Sequence, residues 1–351
     1  MKIPEGIPWK TTGTTLGEGA QGSVLQVYRK DGSDSTAYAL KGLKQGAGRN
    51  AYERFAREVE AIKSIENDHV ITIIDYSASE TFPYYVMPYY DGAQSLHKVI
   101  ATATANPYHE NALEALKLFL MLLDAIGACE NSKDKIIHRD IQPRNILRLS
   151  DGTIKLIDFG ICYMEDGQFL TLLGEGVGAR HYCAPECDSG VSGRASIASD
   201  LYSAGKVLWA AVTSRGAFAR EQPVFENCSM QALFPLKREL WHLSEVFAGT
   251  IRTDPADRWH STFEARVITE ALIHLVTHGY LSVEAMARSC PICGWGSVFL
   301  FDKGFQIFHN PMPEGIEAIR CDHCGWIGAR DRTILNATLK RRSGNKDGGG
   351  A

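Results

Sequence analysis

Three polar residues in the middle of the chain lie beside short apolar stretches and could act together in catalysis. Asp140 lies in a loop, Asn145 immediately precedes one apolar stretch, and Asp158 ends the next. If those stretches are strands, their ends hold the side chains rigidly at one cleft. The Asp140 carboxylate could accept a hydroxyl proton, and the oxygens of Asn145 and Asp158 suit Mg²⁺ on nucleotide phosphates. The pattern indicates phosphoryl transfer.

The element that positions these residues is a predicted hairpin. Residues 146–149 and 153–157 are apolar strand candidates, and Asp151 and Gly152 between them suit a tight turn. A surface hairpin that carries carboxylates by chance is the alternative. This alternative explains less, because it requires two motifs to occur by chance, in the right order, around one turn.

A glycine-rich stretch near the start of the sequence could bind phosphate groups. Gly17, Gly19 and Gly22 lie between strands predicted at 14–16 and 24–28, and glycine lets the backbone approach phosphates closely. A flexible hairpin turn is the alternative for this motif taken alone.

A lysine and a glutamate follow the glycines on separate predicted elements. Lys41 lies on a strand predicted at 37–43, and Glu58 lies on a helix predicted at 51–65 with one apolar face. Each residue alone would usually be solvated, so the order of the elements carries the interpretation. Two more strands are predicted, at 70–75 and 84–87.

Together these segments resemble the eukaryotic-type protein kinases, with serine/threonine-like features. The resemblance is carried by 17–22 (GxGxxG), Ala39-Leu40-Lys41, His138-Arg139-Asp140 with Asn145, Asp158-Phe159-Gly160 and Ala184-Pro185-Glu186. It spans about residues 11–278 and implies an α+β, two-lobed fold. A small β-rich lobe is expected at about 11–87 and a large helical lobe at about 91–278, with helices at 111–129, 200–213 and 262–278.

The resemblance also implies a role for each site residue. Asp140 would be the base, Lys41 oriented by Glu58 would hold the α- and β-phosphates of ATP, and Asn145 and Asp158 would bind magnesium. The residues expected to contact ATP are Leu16, Gly17, Gly19, Gly22, Val24, Ala39, Lys41, Met87, Pro88, Tyr90 and Leu147.

Three further residues have structural roles by resemblance. His138 would pack in a hydrophobic column, Asp200 would brace the catalytic loop from behind, and Arg258 would pair with Glu186. The sequence departs from the serine/threonine pattern at two positions, because Gln142 and Ala179 replace a lysine and a threonine.

A second module follows the kinase-like region. Residues 286–332 contain two CxxC pairs, each followed by Gly-Trp, and four thiolates give zinc a closed tetrahedral shell. Strands are predicted at 297–301 and 305–308, as in a zinc ribbon, while a redox CxxC and an iron centre are the alternatives. The predicted zinc ligands are Cys290, Cys293, Cys321 and Cys324.

Composition narrows the setting in which the protein works. The 351 residues carry a net charge of −4, which gives no argument for nucleic acid or membrane as a partner. No apolar run reaches the length of a membrane span, and the first residues lack a signal peptide, so a cytoplasmic protein is expected. The polar, glycine-rich residues 333–351 are expected to be disordered.

These observations predict a protein kinase that transfers the ATP γ-phosphoryl group to a protein hydroxyl, with serine or threonine as the expected acceptor. The ribbon is interpreted as a docking site for a substrate or protein partner. The departures at Gln142 and Ala179 leave open an ATP-binding pseudokinase scaffold. A nucleic-acid-binding ribbon is a weaker reading, because it lacks a dense basic stripe.

Overall fold

The computed structural model describes several ranges of the chain, namely residues 1–18, 22–44, 46, 48–159, 181–188, 195–218, 228–278, 298–300, 316–321 and 327–331. Within these ranges a β-rich small lobe precedes a larger helical lobe, as the α+β expectation requires. A short antiparallel sheet occurs near the end of the sequence. No helix among the described residues has the length and apolar character needed to cross a membrane.

The small lobe contains five strands and one long helix. These are β1 (Trp9–Glu18), β2 (Gly22–Arg29), β3 (Tyr38–Leu43), α1 (Arg49–Lys63), β4 (Asp75–Ser77) and β5 (Tyr84–Pro88). The strands form one antiparallel sheet in the order β1-β2-β3-β5-β4. Helix α1 buries one apolar side in the core that joins the two lobes.

The small-lobe sheet separates two sets of side chains, because strand residues alternate between faces. The register pairs Val24 with Lys41 and Ala39 with Met87, so these four side chains share one face. Ala39 and Met87 pack into the core that includes α1 and the large lobe. The other face forms its own cluster of Trp9, Leu25, Val27, Leu40, Phe82, Tyr84 and Val86.

The strand predicted at 70–75 is wrong, because the strand in this region begins only at Asp75. Val70 and Ile71 are buried, but their neighbouring backbone groups bond to the large lobe. The Ile71 N–H donates to the Leu156 carbonyl at 3.2 Å, and the Leu156 N–H donates to His69 at 2.7 Å. The apolar run therefore reflects contact between the lobes, through an isolated parallel bridge of Val70 with Leu156, and not a strand of the small-lobe sheet.

The large lobe is mostly helical in its described part. Its elements are β6 (Gln94–Ser95), α2 (Leu96–Ile100), α3 (Ala112–Glu130), β7 (Ile146–Arg148), β8 (Ile154–Leu156), α4 (Pro185–Asp188), α5 (Ile197–Thr213), α6 (Met230–Leu233), α7 (Arg238–Trp241), α8 (Leu243–Thr250) and α9 (Thr262–His278). Helix α5 is buried along its length and begins at a capping box in which Ser196 and Ser199 satisfy each other's backbone N–H.

The predicted hairpin is present as β7 and β8, which pair antiparallel beside β6. Gly152 in its turn has a φ of 92°, which glycine adopts without the steric cost that other residues have. The hairpin therefore places Asn145 immediately before β7, and Asp158 follows β8 by two residues. Both polar residues reach the same end of the hairpin.

The sheet near the end of the sequence has three strands, in the order β11-β10-β9. They are β9 (Val298–Leu300), β10 (Ile316–Cys321) and β11 (Ile327–Asp331), and Cys321 is the last residue of β10. Strand β9 matches the prediction at 297–301. Several predictions lie outside the described residues: the strand at 305–308, the cysteines 290, 293 and 324, and the tail 333–351.

Candidate active site

Lys41 on β3 lies at the centre of a cluster of charges between the lobes. Its Nζ is 2.7 Å from Glu58 Oε1 on α1 and 2.5 Å from Asp158 Oδ1 after β8. Tyr85 on β5 donates its hydroxyl hydrogen to the same Glu58 oxygen at 3.1 Å. The ring of Tyr85 stacks on Phe55 of α1, which keeps its hydroxyl beside the pair. The structure thus brings together three residues that the sequence had placed on separate elements.

The charges in this cluster control its protonation. Burial acts to lower the pKa of Lys41, but the carboxylates of Asp158 and Glu58 raise it well above its ordinary value. The pKa of Glu58 is raised by burial and by repulsion from Asp158, although Lys41 opposes the change. Lys41 therefore stays an ammonium at neutral pH, so its charge is available to bind an anion.

The carboxylate of Asp140 accepts a side-chain hydrogen bond on each of its oxygens. Gln142 Nε2 donates to Oδ1 at 2.7 Å, and Asn145 Nδ2 donates to Oδ2 at 2.6 Å. Asn145 also bonds to the Asp140 carbonyl oxygen at 2.9 Å. The loop is folded so that two neutral amides hold the carboxylate in one orientation. Sequence reasoning missed this role of Gln142, for which its position two residues after Asp140 was the only signal.

The loop that carries Asp140 is supported from behind by Asp200 at the start of α5. The backbone N–H groups of His138 and Arg139 donate to the Asp200 carboxylate at 2.7 and 2.8 Å. Arg139 has a φ of 67°, a conformation that costs free energy in residues other than glycine. Burial raises the pKa of Asp200 to about 6, against the effect of the two hydrogen bonds. Asp200 thus lies where the resemblance implied.

His138 is buried and packs as a core residue. Its ring centroid is 4.6 Å from that of Phe159, and its Nε2 is 3.3 Å from the Ile157 carbonyl oxygen. Burial lowers the pKa of His138 to about 4, so the imidazole is neutral at pH 7. A buried, neutral ring that faces carbonyl and aromatic groups is unsuited to proton transfer with a substrate.

The residues expected to contact ATP occupy both sides of the cleft between the lobes. Val24, Ala39 and Met87 share the sheet face of Lys41. Pro88 ends β5, and Tyr90 and Leu147 are half-buried. Leu16 near the end of β1 is 39% exposed, and its predicted contact with ATP stays a prediction.

The three glycines of the predicted phosphate loop differ in what the structure says of them. Gly17 lies opposite Val24, one residue before the end of β1. Gly22 begins β2, and Gly19 lies outside the described residues. A Cβ added to Gly22 would lie 2.4 Å from the Gly42 carbonyl oxygen. Close packing against β3 therefore requires glycine at position 22, whether or not a phosphate is bound.

Asn145 and Asp158 supply the oxygens that could hold a metal ion. Asn145 directs its amide nitrogen at Asp140, which leaves its amide oxygen for another ligand. The Asp158 side chain is 44% exposed, and its backbone φ of 53° is a strained value of the kind found at functional sites. One carboxylate and one amide oxygen fit Mg²⁺, which usually takes its other ligands from phosphates and water.

A lysine–glutamate pair lies under a five-stranded sheet, and a supported loop on the helical lobe carries a carboxylate. This arrangement defines a phosphotransferase of the protein kinase type. The protein kinase domain family matches residues 11–281, and the chain belongs to this family.

Comparisons with individual proteins agree with this assignment. The serine/threonine-protein kinase PrkC of Bacillus subtilis is 32% identical over 171 residues, which cover 49% of this chain and 25% of PrkC. PksC of Streptomyces coelicolor is 30% identical over 269 residues, which cover 70% of this chain and 46% of PksC. The chain thus spans less than half the length of either curated relative.

A solved structure shares the fold of the chain. The crystal structure of the Mycobacterium tuberculosis PknI kinase domain superposes with a TM-score of 0.57 at 22% identity. The match covers 78% of this chain and 98% of that domain. At this identity the likeness concerns the fold, and the chemistry rests on the site itself.

Proposed function

We propose that this chain is a protein kinase that transfers the ATP γ-phosphoryl group to a serine or threonine hydroxyl of a protein. The observation that carries the proposal is Lys41 bound to both Glu58 and Asp158, across the cleft from the oriented carboxylate of Asp140. The names of PrkC and PksC support serine or threonine as the acceptor.

Each residue of the site then has a distinct task. Lys41, oriented by Glu58, holds the α- and β-phosphates, while the backbone at Gly17, Gly19 and Gly22 covers them. The residues that would hold Mg²⁺ are Asn145 and Asp158, and the ion neutralises charge on the phosphates when it is bound. Asp140 orients the acceptor hydroxyl and takes its proton. Leu16, Val24, Ala39, Met87, Pro88, Tyr90 and Leu147 surround the adenine and ribose.

Gln142 alters the charge near the transferred phosphoryl group without removing the support of Asp140. A lysine at this position would bring a positive charge, whereas the amide of Gln142 brings only its hydrogen bond at 2.7 Å. The orientation of Asp140 is therefore kept, and this supports catalysis over a pseudokinase scaffold. Lys41 and the metal ion then supply the electrostatic stabilisation that a lysine at position 142 would otherwise give.

We further propose that the kinase domain spans residues 11–278 and that a zinc ribbon at 286–332 follows it, before a disordered tail at 333–351. Cys290, Cys293, Cys321 and Cys324 would bind the zinc ion. The support is the CxxC spacing, together with an antiparallel sheet whose strand β10 ends at Cys321. The ribbon would serve as the docking surface for a substrate or protein partner.

The test of the kinase proposal is transfer from labelled ATP in the presence of magnesium. Wild-type protein should label itself or a generic basic protein, and Asp140→Asn and Lys41→Met should abolish the label. Lys10→Met is the matched control, because Lys10 lies exposed on the same sheet and should not affect transfer. Tight ATP binding without transfer under any divalent metal would favour the scaffold instead.

A further inference from the structure

Tyr85 of β5 gives Glu58 a second hydrogen-bond donor besides Lys41. The Tyr85 hydroxyl oxygen lies 3.1 Å from Glu58 Oε1, and the same oxygen accepts from Lys41 Nζ at 2.7 Å. Burial and the charge of Glu58 raise the pKa of Tyr85 well above its ordinary value, so the phenol keeps its hydrogen. A neutral phenol has one hydrogen to donate, and a carboxylate can only accept it. Glu58 is therefore held from two strands of the small-lobe sheet.

Packing fixes the position of the Tyr85 hydroxyl. Tyr85 is fully buried and lies directly opposite Lys41 in the pairing of β3 with β5, so the two side chains leave the sheet on the same face. Lys41 Nζ lies 5.5 Å from the centre of the Tyr85 ring. The ring also stacks on Phe55, with centroids 5.5 Å apart. Phe55 precedes Glu58 by three residues, so one turn of α1 supplies both the stacking surface and the acceptor.

We infer that Tyr85 is a positioning residue for ATP binding, because its hydroxyl keeps Glu58, and with it α1, beside Lys41. The inference rests on the proposed function, in which Lys41 holds the α- and β-phosphates. Tyr85 acts through Glu58, and its own side chain does not contact the nucleotide.

The ion pair needs this support because Lys41 is shared between two carboxylates. Lys41 Nζ lies 2.5 Å from Asp158 Oδ1 as well as close to Glu58. When ATP binds, the ammonium group directs hydrogen bonds to the phosphates, and Asp158 becomes a ligand of magnesium. Glu58 is only 6% exposed, and a buried carboxylate that loses a donor is destabilised. The hydrogen bond from Tyr85 uses none of the groups that bind the phosphates, so it holds Glu58 in place during this exchange.

Tyr85→Phe tests the inference, because it removes the hydroxyl and keeps the ring that stacks on Phe55. The loss of a hydrogen bond to a charged group should raise the KM for ATP about tenfold. The kcat should stay within about twofold of wild type, since Lys41 binds the phosphates in the ground state as well as in the transition state. Tyr84→Phe is the matched control, because Tyr84 donates to Asp75 from the other face of the sheet, at 3.4 Å, and should not change the KM. An unchanged KM in Tyr85→Phe, or an equal rise in both variants, would overturn the inference.

A double-mutant cycle tests whether Tyr85 acts through Glu58. The measurement is equilibrium binding of labelled ATP in the presence of magnesium. Tyr85→Phe should weaken binding about tenfold in the wild-type chain but about twofold or less in Glu58→Ala, because residues in contact are coupled. Equal weakening in both chains would show a structural effect of the hydroxyl that does not pass through Glu58, and would overturn the inference.

The binding measurement needs no phosphoryl transfer, so it separates this inference from the proposed function. ATP binding that is weakened by Tyr85→Phe, in a chain that transfers no phosphoryl group, would support the inference and remove the proposed function. Transfer by the wild type with equal ATP binding by Tyr85→Phe would remove the inference alone. A wild-type chain that binds no ATP would remove both.

Discussion

Asp140 shows how one residue can be constrained by neutral neighbours. Both of its carboxylate oxygens accept hydrogen bonds from amide side chains, one from Gln142 and one from Asn145. Neutral donors orient a carboxylate as well as an ammonium does, but they stabilise its charge less. The two amides therefore hold the Asp140 carboxylate in one orientation.

Gln142→Ala removes one of these hydrogen bonds and should lower turnover by about tenfold, because a hydrogen bond to a charged group contributes about 1.5–3 kcal/mol. Gln142→Glu should lower it further, since it places a second negative charge beside Asp140. The measurement is steady-state phosphorylation at saturating ATP. Gln94→Ala is the control, because Gln94 is exposed on β6. Equal turnover in Gln142→Ala and wild type would show that Asn145 alone orients the carboxylate.

Gln142→Lys tests the missing charge and should change turnover little by itself. Without a hydroxyl at position 179, the new ammonium has no fixed partner and prefers solvent. Combined with Ala179→Thr, it should raise turnover by more than the two single changes predict, because contacting residues couple by about 0.5–3 kcal/mol. A double-mutant cycle measures this coupling. Lower turnover in every variant would argue against serine or threonine as the acceptor.

His138 makes stability depend on pH. Burial lowers its pKa from 6.5 to about 4, so between these values the unfolded chain binds a proton that the folded protein does not. Stability that is present above pH 6.5 is therefore lost as the pH falls toward 4. Each pH unit in this window changes the free energy of unfolding by about 1.4 kcal/mol, which gives about 3 kcal/mol over the whole window.

His138→Phe lacks the titrating ring and should lose about 3 kcal/mol less than wild type between pH 7 and pH 4. Urea unfolding at both pH values measures the difference. Asp200, whose pKa burial raises to about 6, acts in the opposite direction in both proteins, so the comparison cancels it. Equal losses in the two proteins would mean that His138 is not neutral in the folded state.

At the scale of elements, a buried ion pair joins α4 to the segment that precedes α9. Arg258 Nη1 and Nη2 lie 2.6 and 2.9 Å from the two oxygens of Glu186, and the arginine side chain is fully buried. Ser199 of α5 donates to the same glutamate, and Arg258 also donates to the Ala198 carbonyl oxygen. Three elements therefore converge on one carboxylate.

Arg258→Ala should destabilise the domain by about 3–5 kcal/mol, because it leaves the Glu186 charge buried and unpaired. Arg258→Lys should fall between this variant and wild type, since lysine cannot bind both oxygens at once. Urea unfolding at pH 7 measures the changes. Arg49→Ala is the control, because Arg49 pairs with Glu53 on the exposed side of α1 and should cost about 1 kcal/mol or less. A similar decrease in the free energy of unfolding in both alanine variants would show that the buried ion pair contributes no more than an exposed one.

At the scale of the whole molecule, the kinase domain and the proposed zinc ribbon differ in the size of the core that can stabilise them. The kinase lobes share a core that includes residues of β3, α1, α3 and α5. The sheet of β9, β10 and β11 is too small to bury a core of comparable size. A structure of this kind usually depends on a metal ion for its folding.

The full chain should therefore contain one zinc ion, and Cys290→Ser should lose it without unfolding the kinase domain. Metal analysis of the reduced protein measures the zinc, and the cooperative urea transition of the domain reports its stability. Cys228→Ser lies outside the proposed ribbon and should keep the zinc. Reduced wild-type protein without zinc would remove the metal from the proposal.

Local sequence determined where the candidate site residues lie along the chain and on which elements. Glycine at the 151–152 turn and the apolar residues around it predicted the hairpin that brings Asn145 and Asp158 to one end. Helical periodicity predicted 51–65, and the observed helix is Arg49–Lys63. Such features depend on residues close in sequence, so spacing alone reveals them.

Only the tertiary structure decided which atoms meet. Nothing in the spacing shows that Tyr85 donates to Glu58, or that Ser199 donates to Glu186, because packing of separate elements creates these contacts. The wrong strand at 70–75 has the same origin. Its apolar residues are buried as the pattern indicates, but Val70 forms an isolated parallel bridge with Leu156 of β8 in the large lobe and does not join the small-lobe sheet. Hydrophobic burial is non-directional, so a pattern shows that a side chain is buried, while the partner depends on how the lobes pack.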